Sequence, residues 1–156
     1  MKKILGILLT AIMLCTTNVL VYAQDSAETQ TSSGINLLEQ PYYIIHTDGT
    51  IEESTNIKTR LVISYPLLAP GESIVWKNLP LNKGYNFYSI SWSSATDFHV
   101  AVRANLLATP LHQIYLTNTK AYSGSFNYGT SGTVVFEVTN NSSNYSSIVS
   151  AMYNGK

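Results

Sequence analysis

The chain has 156 residues, nine Lys and Arg against nine Asp and Glu, only 12% charged side chains, and eleven tyrosines. This balance offers no basic footprint for nucleic acid or an anionic membrane, and the length suits one domain with a core of its own. The single cysteine, Cys15, excludes a disulfide framework and a multi-thiolate zinc site.

The chain begins MKKILGILLTAIMLCTTNVLVYAQD. Lys2 and Lys3 precede an apolar stretch from Ile4 to Leu14, and a more polar approach leads to Val21, Tyr22 and Ala23, which is the layout of a secretory signal peptide over residues 1–23. Compact side chains at Val21 and Ala23 place cleavage between Ala23 and Gln24. The apolar run is about ten residues, roughly half a bilayer-spanning helix, so no stable membrane anchor is expected. Leu14 before Cys15 does not fit a lipid-attachment signal. The mature chain, about 133 residues without cysteine and with a formal charge of about −2, is expected outside a bacterial cell.

Residues 24–34, QDSAETQTSSG, are small and polar and read as a flexible leader; the folded domain then occupies 35–156. A short helix is expected near Ile35 to Gln40, ended by Pro41. Strands are predicted at Tyr42–His46, Ile57–Tyr65, Ser73–Lys77, Tyr85–Trp92, Phe98–Asn105, His112–Asn118, Ala121–Tyr128, Thr133–Thr139 and Ser146–Tyr153, where Val, Ile, Thr, Tyr and Phe concentrate between Gly, Pro, Asn and Ser. Thr47–Thr50 and Gly129–Gly132 suit hairpin loops, Ala69–Pro70–Gly71–Glu72 a type II turn, and Asn140–Asn144 a further loop.

Alternation identifies the buried face. Phe98, Val100 and Val102 oppose His99, Ala101 and Arg103; Val134, Phe136 and Val138 oppose Val135, Glu137 and Thr139. In YNFYSISW, Asn86, Tyr88, Ile90 and Trp92 form the core set against Tyr85, Phe87, Ser89 and Ser91. Short strands with one wet face predict an all-β, antiparallel β-sandwich of jelly-roll or immunoglobulin-like type, with a closed barrel as the alternative.

No nucleophile elbow, H-E-x-x-H, phosphate loop or S-x-x-K occurs. His46, His99 and His112 are scattered, and the acidic turn Asp48–Glu53 lacks alternating calcium ligands, so no metal or other cofactor is expected. Asp97, His99 and Arg103 share one strand face, as a base and anion receiver would, or as the wet side of an amphipathic strand. Glu72, Asp97 and Glu137 are the carboxylates available to a glycosidase pair.

Tyrosine beside Ser, Asn and Thr is the mixture of a binding surface, since it joins rigid apolar bodies to adaptable hydrogen bonds. The expectation is a secreted, non-catalytic binding or matrix module for polysaccharide, cell-wall glycan or a protein partner. Its candidate ligand contacts are Tyr85, Phe87, His99 and Arg103. Tyr85 and Phe87 are expected to pack beneath a loop or, failing that, to form a ligand platform. Two alternatives are a membrane-active toxin using the segment Lys120 to Val135, and a small hydrolase using His99 or Glu137; the alternating run Tyr122, Gly124, Phe126, Tyr128 is short for a spanning strand.

Overall fold

The computed structural model describes residues 34–54 and 65–154. Of the two units into which the chain divides, Met1–Thr31 and Ser32–Lys156, all described residues belong to the second. The signal segment with Ala23 and Gln24, most of the polar leader, and the predicted strand at 57–65 except Tyr65 lie outside them.

Among the described residues nine strands follow in order: β1 (Ile35–Asn36), β2 (Tyr42–Ile45), β3 (Ile51–Ser54), β4 (Leu67–Leu68), β5 (Ser73–Leu81), β6 (Gly84–Arg103), β7 (His112–Tyr128), β8 (Gly132–Asn140) and β9 (Ser146–Asn154). In place of the expected helix, Leu37–Glu39 forms one 3-10 turn, whose Leu37 carbonyl accepts the buried Trp76 indole N–H at 2.7 Å.

All pairings are antiparallel, in the order β1-β9-β6-β8-β5-β2-β3, with β4 also on β9 and β7 also on β6. The long β6–β7 hairpin makes this curled sheet a sandwich. Residues 87–92 of β6 pair with β9, whereas residues 98–103 pair with β8, so β6 leaves one layer and enters the other. Register shifts between Ser91 and Phe98, facing the positive φ of Asn118 (46°) on β7, mark the corner. A bulge increases local twist and redirects a strand without ending it, which is why two predicted strands are one here, and likewise on β7.

The core lies between the layers. Trp92 meets Phe98 with ring centroids 5.5 Å apart, Tyr88 meets Phe136 at 5.3 Å, and Phe136 meets Tyr153 at 5.8 Å. Every residue of the predicted inward set is buried: Asn86, Tyr88, Ile90, Trp92, then Phe98, Val100, Val102, then Val134, Phe136, Val138. Gly124 on β7 is where the Tyr88 ring passes: a Cβ there would stand 2.7 Å from both Tyr88 and Tyr122.

Several connections differ from expectation. Gly129–Gly132 does not join paired strands; it carries the chain from β7, paired to β6, across to β8, paired to β5 and β6. Ile51–Ser54, read as part of an acidic turn, is an edge strand held by the Thr47–Thr50 hairpin, in which Gly49 takes φ 84° and His46 N–H donates to the Thr50 carbonyl. β5 runs to Leu81 rather than Lys77; β2 covers only its residues 73–75, so Pro80 lies where no second neighbour needs its missing N–H. The Ala69–Glu72 turn forms as predicted, with Gly71 at φ 80° and the Glu72 N–H donating to the Ala69 carbonyl.

That turn is tied to the β2–β3 hairpin by charge. His46 Nδ1 donates to Glu72 Oε1 at 2.6 Å, and its Nε2 lies 3.4 Å from Glu52 Oε2. The Glu72 hydrogen bond raises the His46 pKa above its ordinary 6.5. Burial works to raise Glu72, but the His46 and Ala69 hydrogen bonds outweigh it and leave Glu72 below its ordinary 4.5. The raised histidine stabilises the fold fully below 6.5 and loses its contribution as pH rises through its folded pKa. The lowered glutamate contributes fully above 4.5 and loses it as pH falls through its folded pKa. The melting difference between wild type and Glu72→Gln is therefore expected to be greatest between pH 4.5 and 6.5 and to shrink on the alkaline side. A difference constant from acid to alkaline pH in a melting series would contradict the coupling.

Candidate functional site

Tyr85 and Phe87 sit on β6 at a spacing of two, so both project from one face, opposite the buried Asn86 and Tyr88. Among the described residues no loop covers them: Tyr85 is 63% and Phe87 52% exposed, which corrects the expectation that they pack beneath one. Their rings lie 6.3 Å apart at 27°, each supporting the other.

The register places Asn127 opposite Tyr85, Ser125 opposite Phe87 and Ser123 opposite Ser89 on one side; Met152 and Ser150 flank Ser89 and Ser91 on the other. The platform is thus two aromatic faces beside a strip of hydroxyl and amide groups, and none of these side chains carries a charge. Apolar ring faces in water beside small hydroxyl groups suit a ligand with an apolar face and many hydroxyls.

The other candidates occupy the outer face of the second layer and do not form one site. Asp97 Oδ1 accepts the Asn118 N–H at 2.6 Å and so caps the corner of β7 instead of orienting His99. Arg103 Nε donates to Glu137 Oε2 at 3.0 Å, and Nη1 donates to the Ala108 carbonyl at 2.9 Å. His99 is 9% exposed and stacks against Tyr115, with centroids 4.1 Å apart at 12°. Burial holds its pKa below the ordinary value, with a hydrogen bond donated to Gln113 and the Glu137 charge opposing and the Arg103 charge reinforcing the shift.

Sequence reasoning missed Tyr115. Its signal was present in HQIYLTN, where Ile114 and Leu116 face the core and Tyr115 takes the opposite parity. In the segment considered for a membrane hairpin, Phe126 is buried and Tyr122 and Tyr128 pack against the core. Among the described residues no three His, Cys, Asp or Glu side chains gather closely enough to hold a metal ion.

No protein-family model matches the chain, and no curated protein sequence matches it either. The chain is similar to several solved carbohydrate-binding modules. One, from Cellvibrio mixtus lichenase 5A in complex with cellotriose, is 11% identical with a TM-score of 0.42, over 79% of this chain and 96% of that one. Another is the C-terminal module of a marine laminarinase from Zobellia galactanivorans, 12% identical with a TM-score of 0.41, over 74% and 88%. A third is a low-affinity xylan-binding module from Roseburia intestinalis, 13% identical with a TM-score of 0.42, over 74% and 84%.

Proposed function

We propose that the chain is an exported, non-catalytic module that binds polysaccharide through the open faces of Tyr85 and Phe87. One observation carries this reading: two mutually stacked aromatic rings stand in solvent on an uncharged, serine-lined sheet face. Leaving such area exposed forgoes the burial energy of about 25 cal/mol per Å² that a core position would gain, so its retention points to a ligand that covers it. A pyranose ring presents C–H groups on its face and hydroxyls on its rim. The rings take the first, and Ser89, Ser125 and Asn127 stand beside them for the second.

Of the residues on which a hydrolase would depend, His99 is nearly buried beneath the Tyr115 ring and Glu137 is paired with Arg103. The test is adsorption of the purified full chain to insoluble cellulose, xylan, chitin and cell-wall fractions, scored by depletion from solution and by release of soluble sugar. Depletion without sugar release is expected. Full recovery of protein from every supernatant would overturn the reading.

A further inference from the structure

The second layer carries an aromatic ring prepared in a different way. Tyr115 is 66% exposed, yet one face of its ring is fixed against the nearly buried imidazole of His99, 4.1 Å away and almost parallel. A backed ring loses little rotamer freedom when a ligand arrives, and association is favoured to that extent. Burial keeps His99 below its ordinary pKa, so the backing ring is neutral at neutral pH.

The charges around the ring define what it can take. Arg103, a cation on this part of the face, is neutralised by Glu137 and further held by the Ala108 carbonyl. Asp97, two residues before His99, adds negative charge. Gln113, two residues before Tyr115, offers an uncharged amide. Among the described residues an anionic group would meet a carboxylate and no free cation on this part of the face, whereas an uncharged sugar ring would meet a flat aromatic face and an amide.

The two platforms point in opposite directions. Tyr88 and Phe136 touch across the core, as do Trp92 and Phe98, so side chains of the other parity leave the sandwich on opposite sides. Tyr85 and Phe87 belong to one outer face, Tyr115 and His99 to the other.

We infer that Tyr115, backed by His99, is a second stacking site for an uncharged sugar ring, and that one molecule holds two neutral polysaccharide chains, one on each outer face. The site stands on its own geometry; the cross-linking rests also on the Tyr85–Phe87 reading.

Electrophoresis of the full chain through gels containing soluble xylan, mixed-linkage β-glucan or polygalacturonate tests the site, and turbidity of the same polymers tests the cross-linking. Wild type is expected to be retarded by a neutral polymer, not by polygalacturonate, and to render the neutral polymer turbid. Tyr115→Leu, which keeps bulk and removes the flat ring, is expected to weaken retardation about tenfold, the order of one aromatic anchor, and to abolish turbidity. Tyr115→Ala should match it with an unchanged melting temperature. If both Tyr115 variants behave as wild type while Tyr85→Ala/Phe87→Ala loses retardation, the second site is wrong and the first reading stands. If the double variant behaves as wild type while the Tyr115 variants lose retardation, the second site stands, the first reading fails, and so does the cross-linking. Retardation of wild type by polygalacturonate alone overturns the neutral-sugar assignment, and retardation by no polymer overturns both sites.

Discussion

Replacing Tyr85 and Phe87 together by alanine is expected to weaken polysaccharide adsorption by about a hundredfold, since two aromatic anchors at about 1.4 kcal/mol each carry that factor. The fold should survive. Both rings lie in solvent and lean on each other, outside the core set headed by Trp76, Trp92 and Tyr153. Surface changes away from buried contacts stay within about 0.5 kcal/mol, so the melting temperature should move by a few degrees at most. Because the face is uncharged, adsorption should also persist at about 1 M salt, where the screening length falls to about 3 Å. Depletion curves for wild type and the double variant at low and high salt, beside melting curves, decide it. A collapse of the fold would show the rings to be structural, and adsorption that vanishes in salt would transfer the binding to charged groups elsewhere.

The outcome at this platform shows what alternation conveys and where it stops. Period two separated Tyr85 and Phe87 from Tyr88, Ile90 and Trp92 correctly, because a residue's face depends only on its own strand. Whether a loop then covers the outward face depends on chain far away in sequence, which no local pattern records. The same limit explains His99 and Arg103. Their parity was legible, but their partners Tyr115 and Glu137 come from β7 and β8 through the register of β6 with both neighbours.

The polar run Ser93–Thr96 falls between the predicted strands Tyr85–Trp92 and Phe98–Asn105 because neither alternation nor apolar weight marks it. It is strand because β6 turns there from one layer into the other, with Thr96 buried against Ser146 at 2.8 Å. Gly129–Gly132 shows the complementary difficulty, since a turn of glycine, threonine and serine has the same composition whether it closes a hairpin or crosses between layers. The hairpin at Thr47–Thr50 and the turn at Ala69–Glu72 were legible because their geometry is set within four residues, by glycines at positive φ.

Phe136→Ala is the substitution expected to cost the fold most. Phe136 is fully buried on β8 and touches rings from both layers: Trp76 at 6.0 Å from its own layer, and Tyr88 at 5.3 Å and Tyr153 at 5.8 Å from the other. Truncating a buried phenylalanine costs about 3–5 kcal/mol, through lost transfer energy and the cavity left behind. Against a typical total of about 5–15 kcal/mol this is a large share, and it corresponds to a fall of about 10–20 °C in melting temperature. Phe136→Leu should recover more than half of it, because most of the volume returns and only the edge contacts are lost. The ring is shared, so its effect should not be independent of its neighbours: Phe136→Ala and Tyr153→Ala combined should cost less than the two separately, by about 0.5–3 kcal/mol of coupling. Denaturant midpoints of the four proteins in that cycle measure it directly. Additive losses, or a Phe136→Ala protein melting within about 3 °C of wild type, would mean the layers are held together elsewhere. The result bears on binding as well, because this ring joins the two sheets whose outer faces carry Tyr85, Phe87 and Tyr115.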